Sequence, residues 1–374
     1  MASTVAVTAN SPLGEVRQRS AFYHAGRRWV FYCDAAVDDV VWKTSLDGLV
    51  WGAASNTNVP ADVGLMNHGS KFSIFFDGTY VRIAATRHSN GDSLWYRAGT
   101  PNADGTITWC AAWVAAVAGV ANVYPMYPSI CTDSQGYAWI TYHRATAGGA
   151  IDRPYVTKSG NNDGTWGVTP GGFPWDSGGT SSANWRSVII PMTGGKVAFF
   201  RCLPCQFCVP VMFMQCNIWD GAAWMGMENV SNVQHVSNGG LAMVADGDDL
   251  HAMILFNTHT YHSVRSWATG LWSAAQQIIV NHYGDSLAID PSTHDLYYFY
   301  NNVVLVYKEY SAGVWGAEQP FEAEWADTAQ AFYSSNHVLG VVWTIGAYTI
   351  RYGELEVEFL KPAPGAWEIL PLLS

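Results

Sequence analysis

Along this chain apolar and polar residues alternate with a period of two, in short runs closed by Gly, Asp, Asn or Ser. Apolar positions at helical spacing are nearly absent, so the pattern predicts many short antiparallel strands. One unit recurs. Trp29-Val30-Phe31-Tyr32 is followed by Val41-Trp42-Lys43-Thr44-Ser45, and then by a Gly turn leading into Trp51. Comparable Gly turns precede Trp109, Trp166, Trp224, Trp272 and Trp315, and the six tryptophans lie 58, 57, 58, 48 and 43 residues apart. A seventh unit, within 338–357, has inner strands but no closing Trp strand, while Thr4-Val5-Ala6-Val7-Thr8 offers a spare strand at the other end.

Seven units in 374 residues come to about 53 each, the span of four-stranded propeller blades rather than of helical repeats. The expected fold is all-β: one seven-bladed β-propeller over 1–358, closed by the N-terminal strand so that no sheet edge stays exposed. Its blades fall at 16–57, 70–116, 127–170, 186–231, 239–280, 285–321 and 327–358. Residues 359–374, from Phe359 to Ser374, form an apolar tail punctuated by Pro362, Pro364 and Pro371.

Composition narrows the function. Charged residues are only 13% of the chain and the net charge is −11, with Lys and Arg scattered, so nucleic acid is excluded as the expected partner. No stretch reads as membrane-spanning, because 197–219 is broken by Arg201, Pro204 and Pro210. No signal peptide is visible. So low a charge on a propeller rim points to contact with other subunits, through the apolar blade four (197–214) and the tail. An extracellular or virion-surface assembly fits this balance.

The turns carry a family resemblance. Ser45-Leu46-Asp47-Gly48-Leu49-Val50-Trp51 and Asn102-Ala103-Asp104-Gly105-Thr106-Ile107-Thr108-Trp109 resemble the Asp-box of sialidase-like propellers, with Asn161-Asn162-Asp163-Gly164-Thr165-Trp166 a shortened copy. The resemblance implies turns between third and fourth strands. The same residues read physically as structure: Asp closes the turn, Gly takes positive φ and Trp packs between blades.

Up-and-down connectivity sorts loops onto two faces. Asp/Gly turns join strands one to two and three to four on one of them. The opposite loop face gathers larger polar and aromatic side chains, which makes it the expected ligand site. Its candidates are Arg87, His88, Tyr142, His143, Arg144, Trp175, Trp185, His259, Tyr261, His262, Tyr283 and Trp325. Trp and Tyr suit the apolar faces of sugar rings, and Arg, His and Asn suit their hydroxyls. A non-enzymatic recognition or structural propeller is therefore the leading expectation, with a glycan as the ligand and no cofactor.

Two alternatives stay open. A sialidase-like glycosidase would need three arginines on a carboxylate, a nucleophilic Tyr and an acid, for which Arg87, Arg144, Arg201, Tyr142, Asp285 and Glu322 are available. The family's early Arg-Ile-Pro signature has no counterpart in blade one, which reads Arg17-Gln18-Arg19-Ser20. A purely architectural, self-assembling subunit is the other. Seven cysteines cannot all pair internally, and Cys202, Cys205 and Cys208 are a weak zinc candidate set beside the plainer reading of small apolar loop residues.

Overall fold

The computed structural model describes residues 2–7, 13, 19–60, 71–87, 91–146, 153–178, 186–202, 213–231, 233, 242–256, 259–280, 284–332, 338–346 and 349–356. They form seven antiparallel sheets of consecutive strands and, among the described residues, no helix. Among the described residues no helix is long and apolar enough to cross a membrane. The seven-bladed, all-β propeller expected from the repeat is the fold.

Blade one shows the plan, with strands Ala21–His24, Arg27–Asp34, Asp39–Ser45 and Ser55–Asn56 in spatial order from the axis outward. In blades two, five and six the outer edge is split between two short strands that both pair with the third, such as Ile107–Trp109 and Val114–Val117. Blade seven takes its fourth strand from the other end of the chain. Ser3–Val7 pairs antiparallel with Thr349–Glu356, with Ser3 opposite Tyr352 and Val7 opposite Thr349. This closes the ring.

Both faces of each inner strand are buried because each blade packs on two neighbours. The strand Val197–Cys202 is buried at every position: Phe199 meets Trp175 of blade three at 5.5 Å, and Phe200 meets Trp272 of blade five at 6.2 Å. The apolar character of blade four up to Cys202 is thus accounted for inside the ring, without a partner subunit. The rest of its apolar run, 203–212, and the tail 359–374 lie outside the described residues.

The recurrent Trp has one role. Trp109 packs on Trp42 of the preceding blade at 5.8 Å, Trp166 on Tyr96 at 5.0 Å, Trp224 on Trp175 at 4.2 Å and Trp51 on Tyr352 at 5.2 Å. Such aromatic pairs contribute about 1 kcal/mol each beyond the area they bury. The Asp turns present their carboxylates to backbone donors, as where Asp47 Oδ1 accepts from the N–H of Leu49 at 2.8 Å and of Val50 at 2.9 Å. Gly105 sits at φ +93 in the next such turn, where a Cβ would meet Thr44 Oγ1 at 2.7 Å.

A second repeat lines the axis. The N–H of Ile130 donates to Ser73 Oγ at 3.4 Å, that of Ile189 to Ser129 Oγ at 3.5 Å and that of Ala331 to Ser286 Oγ at 2.9 Å. Ser20 Oγ donates to Gln330 Oε1. Each bond links adjacent blades at their innermost strands, Ser20 lying just before Ala21–His24, and every one of these serines is buried.

Candidate functional site

Strand alternation divides the residues that the sequence groups together. On the second strand of blade three, Ala138–Thr146, Tyr142 and Arg144 share one face and His143 takes the other. Tyr142 and Arg144 face blade two. With Asp92, Val117, Val120, Val123, Pro125 and Pro174 they line a cleft of about 70 Å³ at the loop-face end of the junction.

Tyr142 is 2% exposed and stacks on Tyr155 at 5.9 Å, directly opposite it in the strand register. Its hydroxyl has no hydrogen-bond partner among the described residues. Burial raises its pKa, and the nearby Arg144 cation opposes that rise. The Arg144 guanidinium lies 5.7 Å above the Tyr155 ring and, among the described residues, makes no ion pair or hydrogen bond. Asp92, in contrast, is held in place: its carboxylate accepts from Thr86 Oγ1 at 2.8 Å, from the Ser93 N–H at 2.8 Å and from the Arg87 N–H. The cleft therefore presents a phenol and a guanidinium with unused donors between apolar walls.

Other candidate residues are engaged in structure. Arg87, 5% exposed, ties blade two to blade one through Asp38 Oδ2 at 2.7 Å and the carbonyl of Pro60 at 2.8 Å. Arg201 donates to the carbonyls of Ser177 and Gly178, both at 2.6 Å, and to Gln215 Oε1 at 2.8 Å. Burial lowers its pKa to about 10. Arg87, Arg144 and Arg201 thus stand at separate positions around the ring, and two of the three already have carbonyl and side-chain acceptors. Trp175 is stacked on Trp224 with ring planes 23° apart.

His143 is fully buried toward blade four. Thr141 Oγ1 donates to the Tyr155 carbonyl at 3.0 Å, so it accepts from Ser187 Oγ at 2.9 Å, and Ser187 in turn accepts from His143 Nε2 at 3.3 Å. That sequence of donors fixes the proton on Nε2. Beside it, a bulge between Met126 and Ser129 sets Tyr127 at φ +51, with Arg186 4.5 Å above its ring.

In blade five, His259 and Tyr261 are half-buried at the loop-face end of His259–Ser266, whereas His262 is buried. His262 contacts His251 at 3.0 Å and accepts from Trp315 of blade six at 3.1 Å. Trp325 stands 54% exposed between blades six and seven, far from the cleft in ring order. Glu322 ends the outer edge of blade six, and Asp285 occupies the irregularity between Gly284 and Ser286. His88, Trp185 and Tyr283 lie outside the described residues, as do Cys205 and Cys208. Cys202 is buried in the core shared by blades four and five. Among the described residues no three His, Cys, Asp or Glu side chains come together to hold a metal ion.

Sequence reasoning missed Tyr155, Asp92, Arg153 and Asp176. Arg153 pairs with Asp176 at 3.0 Å, and Tyr155 Oη donates to the same carboxylate at 3.3 Å, so this group buttresses the cleft from behind. A signal for part of it exists: Tyr142-His143-Arg144 and Arg153-Pro154-Tyr155 are mirror-image ends of one hairpin, which places Tyr against Tyr and Arg against Arg.

No protein-family model matches the chain, so the resemblance of its Asp turns to the sialidase-like motif does not extend to a family match. No curated protein matches it either. Solved structures do. The chain is similar to the BP39L lectin from Burkholderia pseudomallei, at 10% identity, covering 94% of this chain and 100% of that one with a TM-score of 0.59. It is also similar to an ulvan lyase, a polysaccharide lyase bound to -[GlcA(1-4)Rha3S]-, at 13% identity, covering 94% of each chain with a TM-score of 0.57. U3-55K is a third, at 10% identity over 94% of this chain and 97% of that one, TM-score 0.56. At such identities the likeness establishes the propeller fold and nothing finer.

Proposed function

We propose that this propeller recognises glycans through its loop face, at the cleft between blades two and three, without chemical turnover. The observation that carries the reading is the Tyr142 hydroxyl beside the half-buried Arg144 guanidinium in the lining of that cleft, neither with a hydrogen-bond partner among the described residues. A hydrogen bond to a charged group contributes about 1.5–3 kcal/mol, so a ligand that pairs with Arg144 gains in binding. Val117, Val120, Pro125 and Pro174 supply apolar surface for a sugar's C–H face.

The fold supports the reading as a scaffold, since a lectin and a polysaccharide lyase are built on similar propellers. Recognition is favoured over sialidase-like hydrolysis because Arg87 and Arg201 are committed to Asp38 and Gln215, which leaves one arginine where that chemistry needs three. An extracellular or particle-surface setting suits such a module. Calorimetric titration with a panel of oligosaccharides tests the proposal. Binding to at least one of them, weakened about tenfold or more by Tyr142→Phe or Arg144→Ala, is expected from the loss of one such hydrogen bond. No binding across the panel would overturn it.

A further inference from the structure

The cleft also constrains which sugars it takes. We infer that it binds the carboxylate of an acidic sugar, a hexuronate, with Arg144 and Tyr142 as the donors; this rests on the glycan reading above.

Three observations converge. The first is size. The cleft is a small recess of about 70 Å³, which admits one substituent projecting from a sugar ring. The second is donor balance. A guanidinium offers five N–H groups and no acceptor, and the phenol adds an O–H. The acceptor on the wall, Asp92, already receives three donors from Thr86, Arg87 and Ser93. An entering group that only accepts matches this set. A carboxylate does so with two oxygens, and its geometry fits the guanidinium fork. A hydroxymethyl group would bring a donor of its own into a cleft already rich in donors.

The third observation is local charge. The chain is acidic overall, yet the loop-face ends of blades two to four carry Arg87, Arg144, Arg153, Arg186 and Arg201. Among the described residues, Asp92, Asp176 and Glu228 oppose them on these blades and Asp38 reaches Arg87 from blade one, so these arginines outnumber the acids facing them. Arg153 is already neutralised by Asp176 and Arg87 by Asp38. Of these arginines, Arg144 is the one that makes no ion pair or hydrogen bond among the described residues.

The test uses the full chain with trigalacturonate and its carboxyl-reduced, neutral counterpart, followed by calorimetry at low salt. The wild type should bind the acid about tenfold or more tightly than the neutral trisaccharide, the effect of one hydrogen bond to a charged group. Arg144→Ala should abolish that preference, and Arg144→Lys should restore part of it, since Lys keeps the charge but not the fork. Circular dichroism of each variant checks that the propeller is intact. Equal binding of the two trisaccharides by the wild type would overturn the inference and leave glycan recognition standing. A preference that survives Arg144→Ala would also overturn it. Binding of neither probe, together with none across the wider panel, would remove both readings.

Discussion

The indole N–H of Trp315 donates to Nδ1 of His262 at 3.1 Å, across the junction between blades five and six. Because Trp is only a donor, Nδ1 carries no proton, and the proton sits on Nε2. Nε2 then donates to His251 Nδ1 at 3.0 Å, so both imidazoles are neutral and their protons run one way along the chain. At other junctions the corresponding Trp packs on an aromatic residue such as Trp42, Tyr96 or Tyr352. Here a histidine takes that place.

Acid should therefore loosen this junction. Burial, with His251 adding a smaller like-charge effect, lowers the His262 pKa to about 3, against 6.5 for a free imidazole. Burial lowers that of His251 as well, opposed by Asp246 and Asp249. Below pH 6.5 the unfolded chain binds protons that the folded chain refuses, so stability is complete above 6.5 and is lost as pH falls toward 3. The slope approaches roughly 1.4 kcal/mol per pH unit for each histidine. Urea denaturation at pH 7.5, 6.0 and 5.0 measures it. His262→Phe should be less stable at pH 7.5, by about 1–3 kcal/mol, because the Trp315 N–H loses its acceptor. It should also show a flatter acid dependence; parallel curves for the two proteins would refute the assignment.

Arg82 joins blades two and three on the turn face. It is 0% exposed and donates to Asp77 Oδ2 at 2.8 Å, Tyr96 Oη at 2.9 Å and the Gly136 carbonyl at 3.0 Å. Removing one partner of a buried ion pair typically costs about 3–5 kcal/mol, so Arg82→Met should lower the urea midpoint sharply. Adding Asp77→Asn should recover part of the loss, since Asn keeps the oxygen that caps the Thr79 and Tyr80 N–H groups. A double variant no better than the single one would count against the ion pair as the cause.

Closure by Ser3–Val7 makes a separate expectation. Deleting residues 1–8 would strip the ladder from Thr349–Glu356, together with the Lys43 Nζ bond to the Val5 carbonyl at 2.9 Å and the Trp51 Nε1 bond to Ser3 Oγ at 3.0 Å. An unpaired edge strand recruits other edges. Size-exclusion chromatography should show oligomers or aggregate, and the melting temperature should fall. A monomer that melts like the full chain would show that the strand does not close the ring.

The ring was legible because its determinants are local: Gly turns, alternating strands and a Trp soon after the turn recur in six of the seven blades. The site was legible only in part, because its members come from different blades. Alternation alone separates His143 from Tyr142 and Arg144, but which neighbour each face meets depends on the ring. Arg87 finds Asp38, 49 positions away, through the same packing of blade on blade. The serine set at the axis did leave a trace, Ser20-Ala21, Ser73-Ile74, Ser129-Ile130 and Ser286-Leu287, each in or just before an inner strand. Ser is so common in turns that this trace does not stand out.

Gly340 shows the same division between what is local and what is not. A glycine inside the apolar run Val338-Leu339-Gly340-Val341-Val342 signals a close approach, but the sequence does not say by what. The partner is Phe332: a Cβ on Gly340 would lie 1.7 Å from its Cζ, while the Phe332 N–H donates to the Gly340 carbonyl at 3.0 Å. The ring has little room to retreat, since Phe332 is buried and stacked on Tyr352 with planes 19° apart. Gly340→Ala should thus cost about 1–3 kcal/mol or more through overpacking. Phe332→Ala alone should cost about 3–5 kcal/mol by opening a cavity. With the ring gone, the added methyl has space, so combining Gly340→Ala with Phe332→Ala should cost almost nothing further. Urea denaturation of the four proteins closes the cycle, and strictly additive losses would show that something other than this contact requires glycine at the position.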